Sequence, residues 1–166
     1  MAYQSTNPYT GKVEKTFDDI SAAQLEEKLQ RADACFRSSF AARAVILKSA
    51  AALMRERAQA FAELITLEMG KLIPQSLGEV ALSAAILDYY ADHAETFLAT
   101  EQLTTPRGQA MVESSPVGVL FGVEPWNYPY YQIARFAAPN VMVGNTILIK
   151  HASIVPQCAI AIEELF

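Results

Sequence analysis

The sequence predicts an α/β fold in which a group of N-terminal helices precedes the start of a parallel sheet. Three observations carry this. Pro116 to Val123 is an apolar, β-branched run bounded by turn signals, the pattern of a strand buried on both faces. Tyr130 to Val143 reads as a helix, closed by Gly144-Asn145 where a left-handed C-cap belongs. Thr146 to Lys150 reads as a second buried strand. Strand, helix and strand in this order make a βαβ unit, so the strands are expected to be parallel and the crossover right-handed. Ligands of such sheets bind outside the carboxyl ends of the strands. Asn127 follows the first strand and Lys150 ends the second, so both are expected at one crevice.

The elements before this unit follow from local signals. Asn7-Pro8-Tyr9-Thr10-Gly11 is a turn between two short strand-like stretches, a small hairpin over residues 3–17. Ser21 and Gln24 form a capping box, flanked by an Ile20–Leu25 staple, and open a helix with Leu25, Leu29, Ala32 and Phe36 on one face. A bend is expected at Phe40 to Ala42. A second helix follows through Ile46, Leu47, Ala50, Leu53 and Met54. A third uses Phe61, Leu64 and Ile65, with Gly70 as its C-cap. In the fourth, Leu77, Val80, Ala84, Leu87, Ala91, Ala94 and Leu98 step by three and four. That spacing also occurs in coiled coils, but the Ala-rich stripe without ordered flanking charges reads as a core helix. Thr104 to Gly108 breaks the helix, and Gln109 to Ser115 alternates weakly, as an edge strand does. Pro156 suits the first turn of a last helix, which still runs at Phe166 with no Gly, Asn or Pro to end it. A helix stopping inside its pattern reads as a truncation.

A chain 52% hydrophobic and 19% charged can bury a core and is not of disordered composition. Its net charge of -5 argues against a nucleic-acid surface. Cys35 and Cys158 are far apart, give no metal-ligand spacing or disulfide framework, and fit a reducing cytoplasm. Met1 to Thr6 lack the regions of a signal peptide, and no apolar run approaches the length of a membrane span.

Several residues could carry chemistry. Asn127, held between Pro125 and Pro129, reads equally as a helix cap or as a rigid neutral hydrogen-bond donor. Lys150 ends an apolar strand and can extend its ammonium toward the crevice. Arg135 lies eight residues after Asn127, about two helical turns on and on a nearby face, where it reads as a site residue or as a solvated helix-surface arginine. His93 and His151 have no ligand or triad partner at useful spacing, so no metal site is expected. Cys158 lies inside a helix without a local base, and neither cysteine reads as a nucleophile. No GxGxxG motif follows either strand.

Val123-Glu124-Pro125-Trp126-Asn127-Tyr128-Pro129, followed by Gly144-Asn145-Thr146-Ile147-Leu148-Ile149-Lys150, resembles the NAD(P)-dependent aldehyde dehydrogenase superfamily. Asn7 to Val13 and Glu68-Met69-Gly70-Lys71 resemble family blocks in the same order, so the resemblance covers the whole chain. It implies a Rossmann-like sheet, with residues 1–166 as the N-terminal part of a cofactor-binding domain and residues 103–115 as the start of an oligomerisation arm. Asn127 would be catalytic, donating its amide to the oxyanion of a Cys thiohemiacetal, which then proceeds to a thioester. Val123, Trp126, Lys150 and Ser153 would contact NAD or NADP. Many NAD-preferring relatives carry Glu where Ser153 stands. Tyr131 would line the aldehyde tunnel. Arg135 matches the residue that binds the substrate carboxylate in succinate-semialdehyde dehydrogenases. The family's nucleophilic Cys, general-base Glu and glycine motif fall beyond Phe166. The expected partners are a small aldehyde and, in the full-length enzyme, further copies of itself. The competing expectations are a non-catalytic fragment or interaction module, and an unrelated helical binding protein built on the Leu77–Leu98 ladder.

Overall fold

A computed structural model describes residues 3–35 and 40–166. The chain opens with an antiparallel hairpin, β1 (Tyr3–Thr6) and β2 (Val13–Phe17), around the Asn7 turn, where Asn7 Oδ1 accepts from Tyr9 N at 3.0 Å. Helix α1 (Ala22–Ala34) carries the expected capping box, with Gln24 N donating to Ser21 Oγ and Ser21 N donating to Gln24 Oε1. None of its side chains is buried, and Leu25 and Leu29 stay partly open to solvent. Phe36, the last residue of its expected stripe, lies outside the described residues.

Helix α2 (Phe40–Glu56) begins at Phe40, so Phe40 to Ala42, expected to bend, form its first turn instead. The alanines there are strong helix formers and extend it. Helix α3 (Ala58–Met69) ends at Gly70 in the left-handed conformation, φ 76°. Helix α4 (Ile73–Phe97) is the central element, packed against α2 and α3 and later against α5. Its Val80, Ala84, Leu87, Ala91 and Ala94 are buried in one cluster with Leu47, Met54, Phe61 and Ile65. The steps of three and four thus mark a core face, and the alanines let neighbouring helices approach closely.

Strands β3 (Glu101–Thr105) and β4 (Gly108–Val112) pair antiparallel. The stretch from Thr104 to Gly108 is therefore the tip of a hairpin, and the strand before it begins at Glu101. Strand β5 (Val119–Val123), helix α5 (Pro129–Val143) and strand β6 (Thr146–Lys150) form the βαβ unit. β5 and β6 are parallel, with Val119 opposite Thr146 and Val123 opposite Lys150. Gly144 ends α5 at φ 107°. Asn145 Oδ1 then accepts from Val117 N and Gly118 N, fastening the approach to β5 onto the start of β6. Helix α6 (Pro156–Glu163) follows.

The expectation of a fully buried first strand in the βαβ unit is corrected as well. β5 is not buried on both faces: Phe121 is 68% and Val123 69% exposed. Gly122, pointing the other way, is buried under α5, where the Phe136 ring occupies the space a Cβ would need. The pair has a packed face toward α5, while α1, which also touches the pair, has no buried side chain of its own. The apolar pattern states that both faces can be buried, not how many layers cover them.

Candidate active site

The carboxyl ends of β5 and β6 lie side by side, and the ladder extends one residue further through Glu124 N donating to Lys150 O at 3.1 Å. The chain then turns through Pro125 to Tyr128 into α5, whose first residue is Pro129. Proline has no N–H to satisfy, but Tyr130 and Tyr131 do, and the side chain of the N-cap residue Tyr128 makes no capping bond. The acceptor comes from α4. Glu79 Oε1 takes hydrogen bonds from Tyr130 N at 2.9 Å and Tyr131 N at 3.3 Å. Its carboxylate is fully buried, and the Lys71 ammonium supplies the countercharge by pairing with Oε2. The same ammonium donates to the Asn127 carbonyl at 2.8 Å and lies 3.7 Å above the Tyr128 ring centroid. One buried pair thus joins α4, the Asn127 turn and the start of α5.

A second polar contact ties β6 to the same helix end. Ala152 N donates to His151 Nδ1 at 2.7 Å, so Nε2 carries the proton and donates to Pro129 O at 3.0 Å. Burial pushes the His151 imidazole below its ordinary value, against the pull of the Pro129 carbonyl and Glu68, and keeps the ring neutral.

The residues singled out in the sequence fall as follows. Asn127 and Trp126 are exposed on the turn, and Val123 is exposed at the end of β5. Tyr131 is half-buried and meets Tyr128 edge-on at 5.9 Å. Arg135 is exposed one turn further, its guanidinium 5.6 Å from the Tyr131 ring. Arg135 also faces Glu124, whose carboxyl is raised by burial and drawn partly back by the arginine. Tyr128, Tyr131 and Arg135 thus follow one another by ring and cation–ring contacts, leading from the turn that carries Asn127 along the first turns of α5. Lys150 is exposed at the end of β6 with its ammonium 5.6 Å from the Tyr3 ring, and Ser153 is exposed in the turn that follows.

Cys158 is buried in α6, and burial raises its thiol strongly, with the nearby Glu68 carboxylate adding to the effect. It is an inert core thiol. Cys35 is exposed at the end of α1. Among the described residues no His, Cys, Asp or Glu cluster could hold a metal, and no helix is long and apolar enough to cross a membrane.

Lys71 and Glu79 were not singled out for chemistry from the sequence. The available signal was spacing: Ser76, Glu79, Val80 and Ser83 recur at helical intervals, which puts a carboxylate on the buried stripe of α4. Glu68 and Lys71 belong to a family-like block, but nothing local says what they bind.

The aldehyde dehydrogenase family profile matches residues 1–166. A succinate-semialdehyde dehydrogenase [NADP(+)] of Deinococcus radiodurans is 48% identical over 99% of this chain and 35% of its own length. A probable succinate-semialdehyde dehydrogenase [NADP(+)] of Synechocystis is 45% identical over 100% of the chain and 37% of its length. Among solved structures, the succinic semialdehyde dehydrogenase of Streptococcus pyogenes in complex with NADP+ superposes with a TM-score of 0.96 at 43% identity, covering 99% of this chain and 37% of that one. The chain thus spans little more than a third of these relatives. With a profile match along its whole length, a βαβ unit carrying the Pro-Trp-Asn turn, and this superposition, the chain belongs to the aldehyde dehydrogenase family.

Proposed function

We propose that this chain is the N-terminal part of the cofactor-binding domain of an enzyme that oxidises succinate semialdehyde to the acid with NADP+, or with NAD+. The observation that carries the reading is the run of contacts from Tyr128 through Tyr131 to Arg135, which starts at the turn bearing Asn127. Asn127 offers a neutral amide to the oxygen that gains charge when a thiolate adds to the aldehyde. Tyr131 lines the approach, and Arg135 receives the carboxylate at the far end of the substrate as a two-pronged donor. The thiolate comes from residues other than Cys158, which is buried and protonated.

The donor set at the strand ends suits the adenosine side of a dinucleotide. Val123 and Trp126 offer exposed apolar surface, Lys150 a cation and Ser153 a hydroxyl. When bound, the nicotinamide group accepts hydride from the substrate. Ser153 can donate to a 2′-phosphate where a carboxylate would repel it, so NADP+ is tolerated. Ser153→Glu is expected to move the ratio of kcat/KM values toward NAD+ at one fixed ionic strength. Wild type that rejects NADP+, with an unchanged ratio in the variant, would show that Ser153 does not face the ribose.

The same reading places the protein in the cytoplasm, where both cysteines stay reduced, and makes residues 103–115, which include the exposed strand β4, the start of an arm between subunits. The deciding experiment is Arg135→Leu in the enzyme carrying this chain. It should cost succinate semialdehyde about 1.5–3 kcal/mol in kcat/KM and leave an uncharged aldehyde of similar length nearly unaffected. An equal loss for both aldehydes makes Arg135 structural and removes the substrate assignment.

A further inference from the structure

We infer that Lys71, held by Glu79, is a positioning residue for the Asn127 amide; this rests on the reading of Asn127 as the oxyanion donor. The turn from Pro125 to Tyr128 belongs to neither β5 nor α5, so its geometry is not set by a backbone ladder. The Lys71 ammonium meets it at two successive residues, donating to the Asn127 carbonyl at 2.8 Å and covering the Tyr128 ring at 3.7 Å. Glu79 fixes that ammonium from below and grips the next two free N–H groups, those of Tyr130 and Tyr131. The brace therefore holds the backbone on both sides of Pro129. With the Asn127 carbonyl fixed, the direction in which its side chain leaves the turn is restricted.

Stability alone does not call for this arrangement. A neutral acceptor at position 79 can also cap α5, and a buried ion pair is often no more stable overall than a well-packed neutral replacement. What the charged pair adds is the reach of Lys71 to Asn127. Lys71 is 8% exposed at its side chain and Glu79 is fully buried, so neither is a solvated surface charge. The pair touches the turn, not the site where substrate would lie, and it acts through Asn127.

The test uses the double substitution Lys71→Met with Glu79→Gln. It removes both charges together, keeps side-chain volume, and leaves an amide oxygen to accept from Tyr130 N. Trp126 is the single tryptophan of the sequence and adjoins Asn127, so its fluorescence reports the turn directly. In the 166-residue chain the variant is expected to keep its far-UV circular dichroism and its urea midpoint, yet to shift the Trp126 emission maximum and quench more readily with acrylamide. Unchanged Trp126 emission and quenching would overturn the inference. In the enzyme carrying this chain, the same variant should lower kcat on the order of 10- to 100-fold at unchanged KM, as for a misplaced transition-state contact. Added to Asn127→Ala it should cause no further loss. A full further loss in that background overturns the positioning role and leaves the reading of Asn127 intact. An Asn127→Ala enzyme that keeps its kcat overturns both.

Discussion

The N-termini of α5 and α6 pose the same problem and solve it differently. Both helices begin with proline, and in both the N-cap side chain makes no capping bond. In each, a buried glutamate from a distant helix caps the free N–H groups. Glu79 serves Tyr130 and Tyr131, while Glu68 serves Gln157 at 3.0 Å and Cys158 at 3.0 Å, one with each carboxylate oxygen. The helix dipole favours a negative charge at both places. The difference is the cation. Glu79 is paired with Lys71, whereas among the described residues no lysine or arginine pairs with Glu68, which adjoins the Cys158 thiol and the Tyr130 phenol. Burial, with the Glu68 charge adding to it, holds both in their protonated forms, and among the described residues the Tyr130 hydroxyl meets no partner of proper hydrogen-bond geometry. The α6 cap is thus a closed packing solution. The α5 cap carries a cation with hydrogen bonds to spare, and that cation reaches the turn bearing Asn127.

This contrast can be broken most forcefully at Glu79. Glu79→Leu leaves the Lys71 ammonium without its countercharge, and the chain should lose about 3–5 kcal/mol in urea denaturation. Glu68→Leu strands two N–H groups but no cation, so its loss should be smaller, about 1–3 kcal/mol. If Glu68→Leu proves the costlier, the cation is not what distinguishes the two caps. Ser21→Ala removes a cap of the ordinary local kind from the exposed helix α1. A loss of about 1 kcal/mol is expected there, read as reduced helicity with little change in the burial of Trp126.

The smallest effect at neutral pH concerns the second tie to α5. His151 is neutral in the fold with its imidazole pushed below the ordinary 6.5, so the unfolded chain takes up a proton first. Its contribution is therefore complete above about pH 6.5 and declines as the pH falls through that value toward the folded one. A proton on Nδ1 would also face the Ala152 N–H that now donates to it. The urea midpoint of wild type should fall between pH 7 and 5 more steeply than that of His151→Asn. Parallel pH profiles would show that His151 titrates as it does in the unfolded chain.

How much of this was written in the sequence depends on the distance over which each signal acts. The capping box of Ser21 and Gln24, the glycine C-caps at Gly70 and Gly144, and the hairpin turn at Asn7 involve residues within a few positions of one another. Their geometry is decided by local backbone preference, so the sequence alone determined them. The parallel pairing of β5 and β6 was equally legible, because a strand, a helix and a strand of these lengths leave few other arrangements.

The tertiary structure decided the rest. Glu68 and Glu79 find their partners 89 and 51 residues away, at N–H groups that only packing brings to them. Whether an acidic residue on a helix is solvated or buried as a cap is not a local property, since it depends on which donors arrive from elsewhere. The same holds for Lys71, which meets Asn127 across 56 residues, and for Lys150, whose ammonium lies by the Tyr3 ring at the other end of the chain. The exposed faces of Phe121 and Val123 make the complementary point. Apolar alternation measures what a strand could bury, but layers contributed by other elements determine how much of it is buried.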